Sequence, residues 1–550
     1  MTLFCLTPES RSGHRKCRRA ARNVSVVLVC VLVAAPGLAG AQDRGLSAAR
    51  GSAGAQEPGA DAGQASTQRP SWVITPSVSV TGTYTDNVNL DASQKSDFVT
   101  VLTPGITLNG RSARASADVN YQLGYNKYAR NSDLDEQRRS LVANGKLELV
   151  DNWLFIEASQ NVAQTTTSVF GTQSVGNVQA NSNRSETSGY SISPYIQGRL
   201  AGAADYELRF TGRKARSDGG TLAGGADTTR SWTGRLDGVS TMFPLLGWSL
   251  SAADGVASQG TNADTRFRSL AGRVSYRIDP QVSVFVSTGR ETDNFADAAV
   301  EETRSTRRAG LDWAPTERTL VALMKGQGAI GDVYNFDFSH RTARSAWKFS
   351  HSRSAAVPLL GLSRAQAGTN YDLTYAALAS SIPDPVARAA ATTQALAQSG
   401  VAPNAPVYAP IQTTQVYIEE QQQASFALFG VNNSVFFSAS RSSSEQIGAG
   451  SGVVDDFSQS SDIEQSGFNG SWTHNLSPDA TLTLRGGVSY TSGSFNPETS
   501  LKTLSLLFTT RLGAKASASL ELRKTRYDAD ATTGTSYDEQ ALTGSLSLTF

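Results

Sequence analysis

The chain has 550 residues, 39% of them hydrophobic and 18% charged, both below the roughly 45–50% and 25% of soluble globular proteins. Three Cys, four His and a formal charge of +1 exclude a disulfide scaffold and a basic nucleic-acid footprint. Gly, Ser, Thr and aromatic residues fill the gap, which favours strands and turns over helical cores.

At the start, Arg11, Arg15, Lys16, Arg18, Arg19 and Arg22 precede an apolar run from Val24 to Ala35, which Pro36 and Gly37 end. Ala39-Gly40-Ala41 follows. A basic region, a short apolar run and an A-x-A exit predict a secretory signal peptide over residues 1–41, with Ala39 and Ala41 at the cleavage positions. The run is shorter than the about 20 residues of a spanning helix, which argues against a retained anchor. Cleavage after Ala41 removes six basic residues and Glu9, taking the formal charge from +1 to −4. It also removes Cys5, Cys17 and Cys30, so the exported product is expected to be thiol-free. Residues 42–70 are rich in Gly, Ala, Ser and Gln without periodicity and read as a disordered periplasmic linker.

From Trp72 onward the dominant signal has period two. Ala117, Val119, Tyr121, Leu123 and Tyr125 alternate with Asp118, Asn120 and Gln122. Tyr206, Leu208 and Phe210 alternate with Glu207 and Arg209, and Val274, Tyr276 and Ile278 with Arg273, Ser275 and Arg277. Leu504, Leu506 and Phe508 repeat the pattern near the end. Such strands have one apolar and one polar face, which a soluble sandwich would also give. Length separates the two. Many segments run about 10–14 residues, against about 5–6 in soluble domains and about 9–11 for a tilted membrane strand.

Connections alternate between short and long, as in outer-membrane barrels. Short turns are expected at Val150-Asp151-Asn152, Asp279-Pro280-Gln281, Ala314-Pro315-Thr316, Val431-Asn432-Asn433 and Gly513-Ala514-Lys515. Longer polar loops are expected at Thr165–Arg184, Ser217–Asp227, Glu291–Thr303, Gln446–Asp462 and Asp528–Ser536. Trp153, Trp248 and Trp313 stand beside short turns, where an interfacial girdle belongs.

At the C-terminus Leu542, Gly544, Leu546, Leu548 and Phe550 form one row ending in a terminal Phe. This row resembles the closing-strand signal read by the barrel-assembly machinery. The expectation is an all-β, transmembrane, antiparallel up-and-down barrel over residues 71–550, with about 22 strands (range about 18 to 24). Closure removes the edges that so many long strands would otherwise expose.

One segment breaks the ladder. Residues 357–415 exceed any normal connection, and Asp384 with Pro385 offers a helix start. Strand parity assigns this partly helical insertion to the outer side, as a constriction or cover, or else as a mobile surface loop.

Chemistry is sparse. His340, His351 and His474 lack metal-ligand spacing, no nucleophile elbow or phosphate loop is present, and neither metal nor cofactor is expected. Asp86, Asn87, Asn89 and Asp91 form an oxygen-rich loop that lacks EF-hand spacing and reads as solvated. No enzyme is predicted. What remains is the lumen, assigned to Arg114, Asp118, Lys146, Glu148, Glu157, Glu207, Arg209, Arg213, Arg273, Arg277, Arg485, Arg511, Glu521 and Arg523. Arginine rings would favour anions in a pore. Alternatively these charges pair across strands and simply fill a polar interior.

Trp72-Val73-Ile74-Thr75-Pro76-Ser77 and Tyr84-Thr85-Asp86-Asn87-Val88-Asn89-Leu90 open the barrel region. Leu102-Thr103-Pro104-Gly105-Ile106 continues it, and Ile382-Pro383-Asp384-Pro385-Val386-Ala387-Arg388 lies in the insertion. Together they resemble the PEP-CTERM/exosortase system-associated outer-membrane protein family of Gram-negative bacteria, from Trp72 to Phe550. Related porin families share the Asp-Asn-Val piece. The resemblance implies a barrel in systems that make exopolysaccharide and sort surface proteins, and it supplies no catalytic residues. Expected partners are outer-membrane lipids, the barrel-assembly machinery, and exopolysaccharide or its export proteins, without nucleic acid. Three functions stay open: polymer export, general diffusion of small solutes, and a closed surface-binding scaffold.

Overall fold

Alternating polar and apolar side chains leave a strand one face for lipid and one for water, and only ring closure then satisfies every backbone group inside a membrane. A computed structural model shows that closure. It describes residues 71–550 except 177, 218–225, 239–243, 260–263, 357–410, 412, 414, 449–454, 495–497 and 531–533. The expected signal peptide, the linker and nearly all of the 357–415 insertion therefore lie outside the described residues.

Twenty-two strands form one antiparallel sheet among the described residues. The first quarter comprises β1 (Ser71–Thr85), β2 (Asp97–Arg111), β3 (Ala115–Tyr128), β4 (Glu136–Val150), β5 (Leu154–Thr166) and β6 (Arg184–Leu200). Next come β7 (Ala204–Ser217), β8 (Ala226–Gly238), β9 (Leu246–Gln259), β10 (Thr265–Asp279) and β11 (Val282–Asp293). Then follow β12 (Glu302–Thr316), β13 (Thr319–Gly328), β14 (Gly331–Arg341), β15 (Ser345–Ala356), β16 (Tyr417–Phe429) and β17 (Asn433–Gln446). The last five are β18 (Asp462–Asn475), β19 (Ala480–Gly493), β20 (Glu498–Arg511), β21 (Ala516–Ala529) and β22 (Tyr537–Thr549). A four-residue helix, α1 (Asp456–Gln459), precedes β18.

Each strand pairs with its sequence neighbour, and β1 pairs with β22 to close the ring. At that seam Leu542, Gly544, Leu546 and Leu548 stand opposite Tyr84, Gly82, Val80 and Val78. The Phe550 amide donates to the Pro76 carbonyl at 3.0 Å. Register carries one apolar face around the barrel: Ile74, Val80 and Tyr84 on β1, Phe98, Leu102 and Ile106 on β2, and Leu542 and Leu546 on β22 are all large and exposed. A continuous apolar surface of this extent is a lipid-facing band.

The turn expected at Ala314-Pro315-Thr316 sits later. Register shifts between Trp313 and Thr316, and β12 continues to Thr316. Pro315 cannot donate to a ladder, so it falls in the irregularity and Glu317-Arg318 makes the turn. The segment from Leu320 to Phe349, where alternation is weakest, contributes nearly all of β13, all of β14 and the start of β15.

Candidate functional site: the barrel interior and its outer mouth

The inward face is polar. Hydroxyl pairs bridge neighbouring strands: Thr83 with Thr543 at 3.1 Å, Ser159 with Ser191 at 2.7 Å, Thr473 with Thr483 at 3.0 Å and Ser519 with Ser545 at 2.7 Å. On β17 the inward row is Ser434, Phe436, Ser438, Ser440, Ser442 and Ser444.

Register places Asp118, Lys146, Glu148, Glu157, Glu207, Arg209, Arg213, Arg273, Arg277, Arg485, Arg511, Glu521 and Arg523 on this same inward face. Arg114 is instead in the turn between β2 and β3, where its carbonyl accepts from the Glu148 amide at 2.8 Å. The alternation had extended one residue too far there, because Ser112 caps the turn through hydrogen bonds to Ala115.

Several of these charges are engaged with one another. Arg209 lies 2.6 Å from Glu157 and 2.9 Å from Glu207, and Lys146 lies 3.7 Å from Glu157. Phe155 and Tyr195 stack beneath them with centroids 5.0 Å apart, and the Arg209 guanidinium sits 3.9 Å over the Tyr195 ring. Arg273 lies over Phe285 at 3.5 Å and 3.9 Å from Asp312. Arg523 pairs with buried Glu539 at 3.3 Å. Cross-strand pairing thus neutralises much of the inward charge and holds the arginines in fixed poses.

The outer mouth is the most structured part of the interior. For about 22 strands spaced about 4.8 Å apart and tilted about 40°, the barrel is roughly 44 Å across between backbones. The loop 167–183 between β5 and β6 reaches inward across this span. Seventeen residues folded back on themselves extend up to about 28 Å, enough to pass the barrel axis.

Ser168 Oγ donates to Asp456 Oδ1 at 2.5 Å, and the Val169 amide donates to Asp456 Oδ2 at 3.1 Å. Asp456 opens α1, beside β18 and nearly opposite β5 and β6 in the ring. Tyr527 Oη donates to the carbonyls of Phe170 (3.1 Å) and Gly171 (2.9 Å), and Tyr537 Oη to that of Gln173 (2.6 Å). On the near side Tyr128 Oη donates to the Val178 carbonyl at 2.7 Å, and the Ala180 amide to the Val88 carbonyl at 2.9 Å. The Gln179 amide donates to Glu539.

Apolar burial fixes the crossing. Val169 and Phe170 pack with Ala356, Tyr417, Phe457 and Ile463, while Val178 packs with Val88, Val99 and Tyr128. Asp456 is almost fully buried. Burial and the adjacent Asp455 push its carboxyl up to about 6, against the pull of the Ser168 and Val169 hydrogen bonds. Beneath the loop lies a polar cavity of about 490 Å³ lined by Tyr128, Arg138, Asn181 and Arg184 among others.

The 357–415 insertion, expected to be a constriction, a cover or a mobile surface loop, lies mostly outside the described residues, and the sequence did not single out 167–183. Of the former, Ile411 packs against the Phe170 cluster, and Thr413 and Gln415 donate to Asp455 at 2.6 and 3.1 Å. The overlooked signal was Val169, Phe170 and Val178, apolar residues in a loop that would otherwise be solvated. In the oxygen-rich loop, Asn87 donates to the Asp91 and Asp538 carbonyls, Asp86 accepts from Gln540 and Asp91 from Ser93. Those side chains brace the loop, and no cluster with metal-ligand geometry occurs among the described residues.

Over residues 62–210 the sequence is similar to the family described as "Putative beta-barrel porin 2". That stretch contains β1 to β6 and the mouth loop. The chain is a closed antiparallel β-barrel that is similar, over this stretch, to that porin family. Among curated proteins no relative matches it. Similar solved structures include the FrpB iron transporter of Neisseria meningitidis (F5-1 variant), at 10% identity and a TM-score of 0.49, covering 86% of this chain and 82% of that one. The siderophore receptor PirA of Pseudomonas aeruginosa gives 9% and 0.38, with 88% and 81% covered. OpdK with vanillate, from the same organism, gives 10% and 0.30, with 87% and 99% covered.

Proposed function

We propose that the chain is a non-enzymatic outer-membrane conduit for hydrophilic, preferentially anionic cargo, with an acidic exopolysaccharide on its way out as the leading case. The observation that carries this reading is the inward face, where hydroxyl rows alternate with arginines held by aromatic rings and carboxylates. Hydroxyl and amide groups exchange hydrogen bonds with a hydrated polymer, and fixed guanidinium groups attract its carboxylates without closing on any one. The resemblance of the opening segments and of Ile382–Arg388 to exopolysaccharide-associated barrels supports the choice of cargo. In this reading the C-terminal row ending in Phe550 is what the assembly machinery recognises.

A second reading is a general diffusion porin for small solutes, which the inward-folded loop 167–183 favours because it narrows a wide ring. Periplasmic and released polysaccharide, compared between a strain lacking the chain and its complemented parent, separates the two. Periplasmic accumulation with less released polymer is expected for the export role, and unchanged secretion overturns it. Bilayer conductance then distinguishes an open porin from a closed scaffold.

A further inference from the structure

The outward face carries a second arrangement that solute passage does not use. Along β9 to β13, register sets Trp248, Val274, Val286, Ala309 and Lys325 in one cross-strand row. Leu250, Gly272, Thr288 and Arg307 form the next row, and Arg290 on β11 stands two residues beyond Thr288. Between the rows runs an apolar groove of about 830 Å³ that reaches Arg307 and Lys325. Gly272 is its floor: a Cβ added there meets nothing within 4 Å.

The cations at the head of this groove stand within the apolar band. Arg307 lies six residues from the exposed Trp313 along β12, about 20 Å of strand and a rise of about 16 Å at the usual tilt, whereas the apolar band is about 25 Å tall. Lys325 is four residues from Val321, which stands opposite Trp313, so it starts deeper still. Its flexible stem lets the ammonium rise toward the level of Arg307.

Arg290, Arg307 and Lys325 are exposed and make no ion pair among the described residues. Arg307 stands on a diagonal cross-strand position to Arg290 on one side and to Lys325 on the other, with Cα atoms about 7–8 Å apart in each of these two pairs. On the far side three outward cations have protein partners: Arg441 with Glu464 at 3.1 Å, Arg526 with Asp528 at 3.1 Å and Lys502 with Asp528 at 3.6 Å. A cation inside the apolar band without a protein partner takes its counter-charge from the lipid.

We propose that this face binds one phosphorylated, acylated glycolipid of the outer leaflet. Its phosphate meets Arg290, Arg307 and Lys325, and an acyl chain lies in the groove over Gly272 between Leu250 and Val286. Charge complementarity selects an anionic headgroup, the groove selects a chain, and the position toward the loop end selects the outer leaflet.

The test uses the full chain folded in detergent and titrated with diphosphorylated lipid A, its dephosphorylated form, or phosphatidylglycerol, with bound lipid counted by native mass spectrometry. Preferential retention of diphosphorylated lipid A is expected. Arg307→Gln with Lys325→Gln should weaken it about thirtyfold, and Gly272→Leu, which fills the groove, should weaken it as well. Arg441→Gln on the far side should leave it unchanged. Heat-modifiable migration on a gel confirms that each variant is a folded barrel. Equal binding of the dephosphorylated form, equal binding of phosphatidylglycerol, or wild-type affinity in the double variant overturns the proposal.

Discussion

Asp456 makes closure of the mouth a function of pH. With loop 167–183 docked, its carboxyl is buried and pushed up to about 6 from a reference of 3.8. Undocking the loop hydrates it and returns it toward that reference. A group whose docked value is raised supports docking fully below about pH 3.8 and loses that support as pH rises through about 6. A shift of roughly two units corresponds to about 3 kcal/mol between the two limits. The loop should therefore be held more firmly in acid and open more often at neutral pH. The substitution Asp456→Asn would mimic the protonated acid, with the introduced carbonyl accepting from the Val169 amide and the introduced amide donating to Ser168. Single-channel recording between pH 4 and pH 7 provides the assay. Wild-type protein should show rising open probability or current noise with pH, while Asp456→Asn stays at the acid level throughout. An unchanged pH response in Asp456→Asn, or a wild-type channel that closes toward neutral pH, would refute the assignment.

Phe170→Ala removes a side chain only 1% exposed and should weaken docking of the loop by about 3–5 kcal/mol, seen as faster hydrogen exchange at the Val169 amide in a barrel that still folds. Tyr527→Phe loses the bonds to Phe170 and Gly171 and should loosen the loop by about 1–2 kcal/mol, with a matching rise in conductance. Arg209→Gln disturbs a partly solvated network with Glu157 and Glu207, so stability should change by less than about 1 kcal/mol, while reversal potentials shift toward cations. Leu546→Arg sets a charge on the lipid face beside the closing seam and should destabilise the inserted barrel by about 2–4 kcal/mol, measured by urea titration in vesicles.

Period-two alternation was enough to read the barrel and its strand number, because both depend only on local spacing and ring closure. The mouth was not legible in the same way. Ser168 meets Asp456 across 288 positions of sequence, and Tyr527 meets Phe170 across 357. Such contacts follow from which loops face one another across the ring, which no local pattern encodes. Pro315 misled for a related reason. A proline usually ends a strand, yet at an irregularity beside the turn end the strand continues past it.

Counter-charge, too, lies beyond the pattern. Arg307 and Arg308 are adjacent, so the pleat sends them to opposite faces. Arg308 points inward and lies 2.7 Å from Glu291 on β11. Arg307 points outward opposite Thr288 on the same strand. In sequence they are one basic dipeptide; in the barrel one is a fixed, compensated lumen charge and the other an uncompensated charge facing lipid. The difference is set by which residue of β11 stands opposite each, and a one-residue slip of that register would exchange their roles. A substitution at Glu291 should therefore change ion selectivity and leave lipid retention intact, while one at Arg307 should do the reverse. Loss of both properties from either single change would mean that the two faces are not independent.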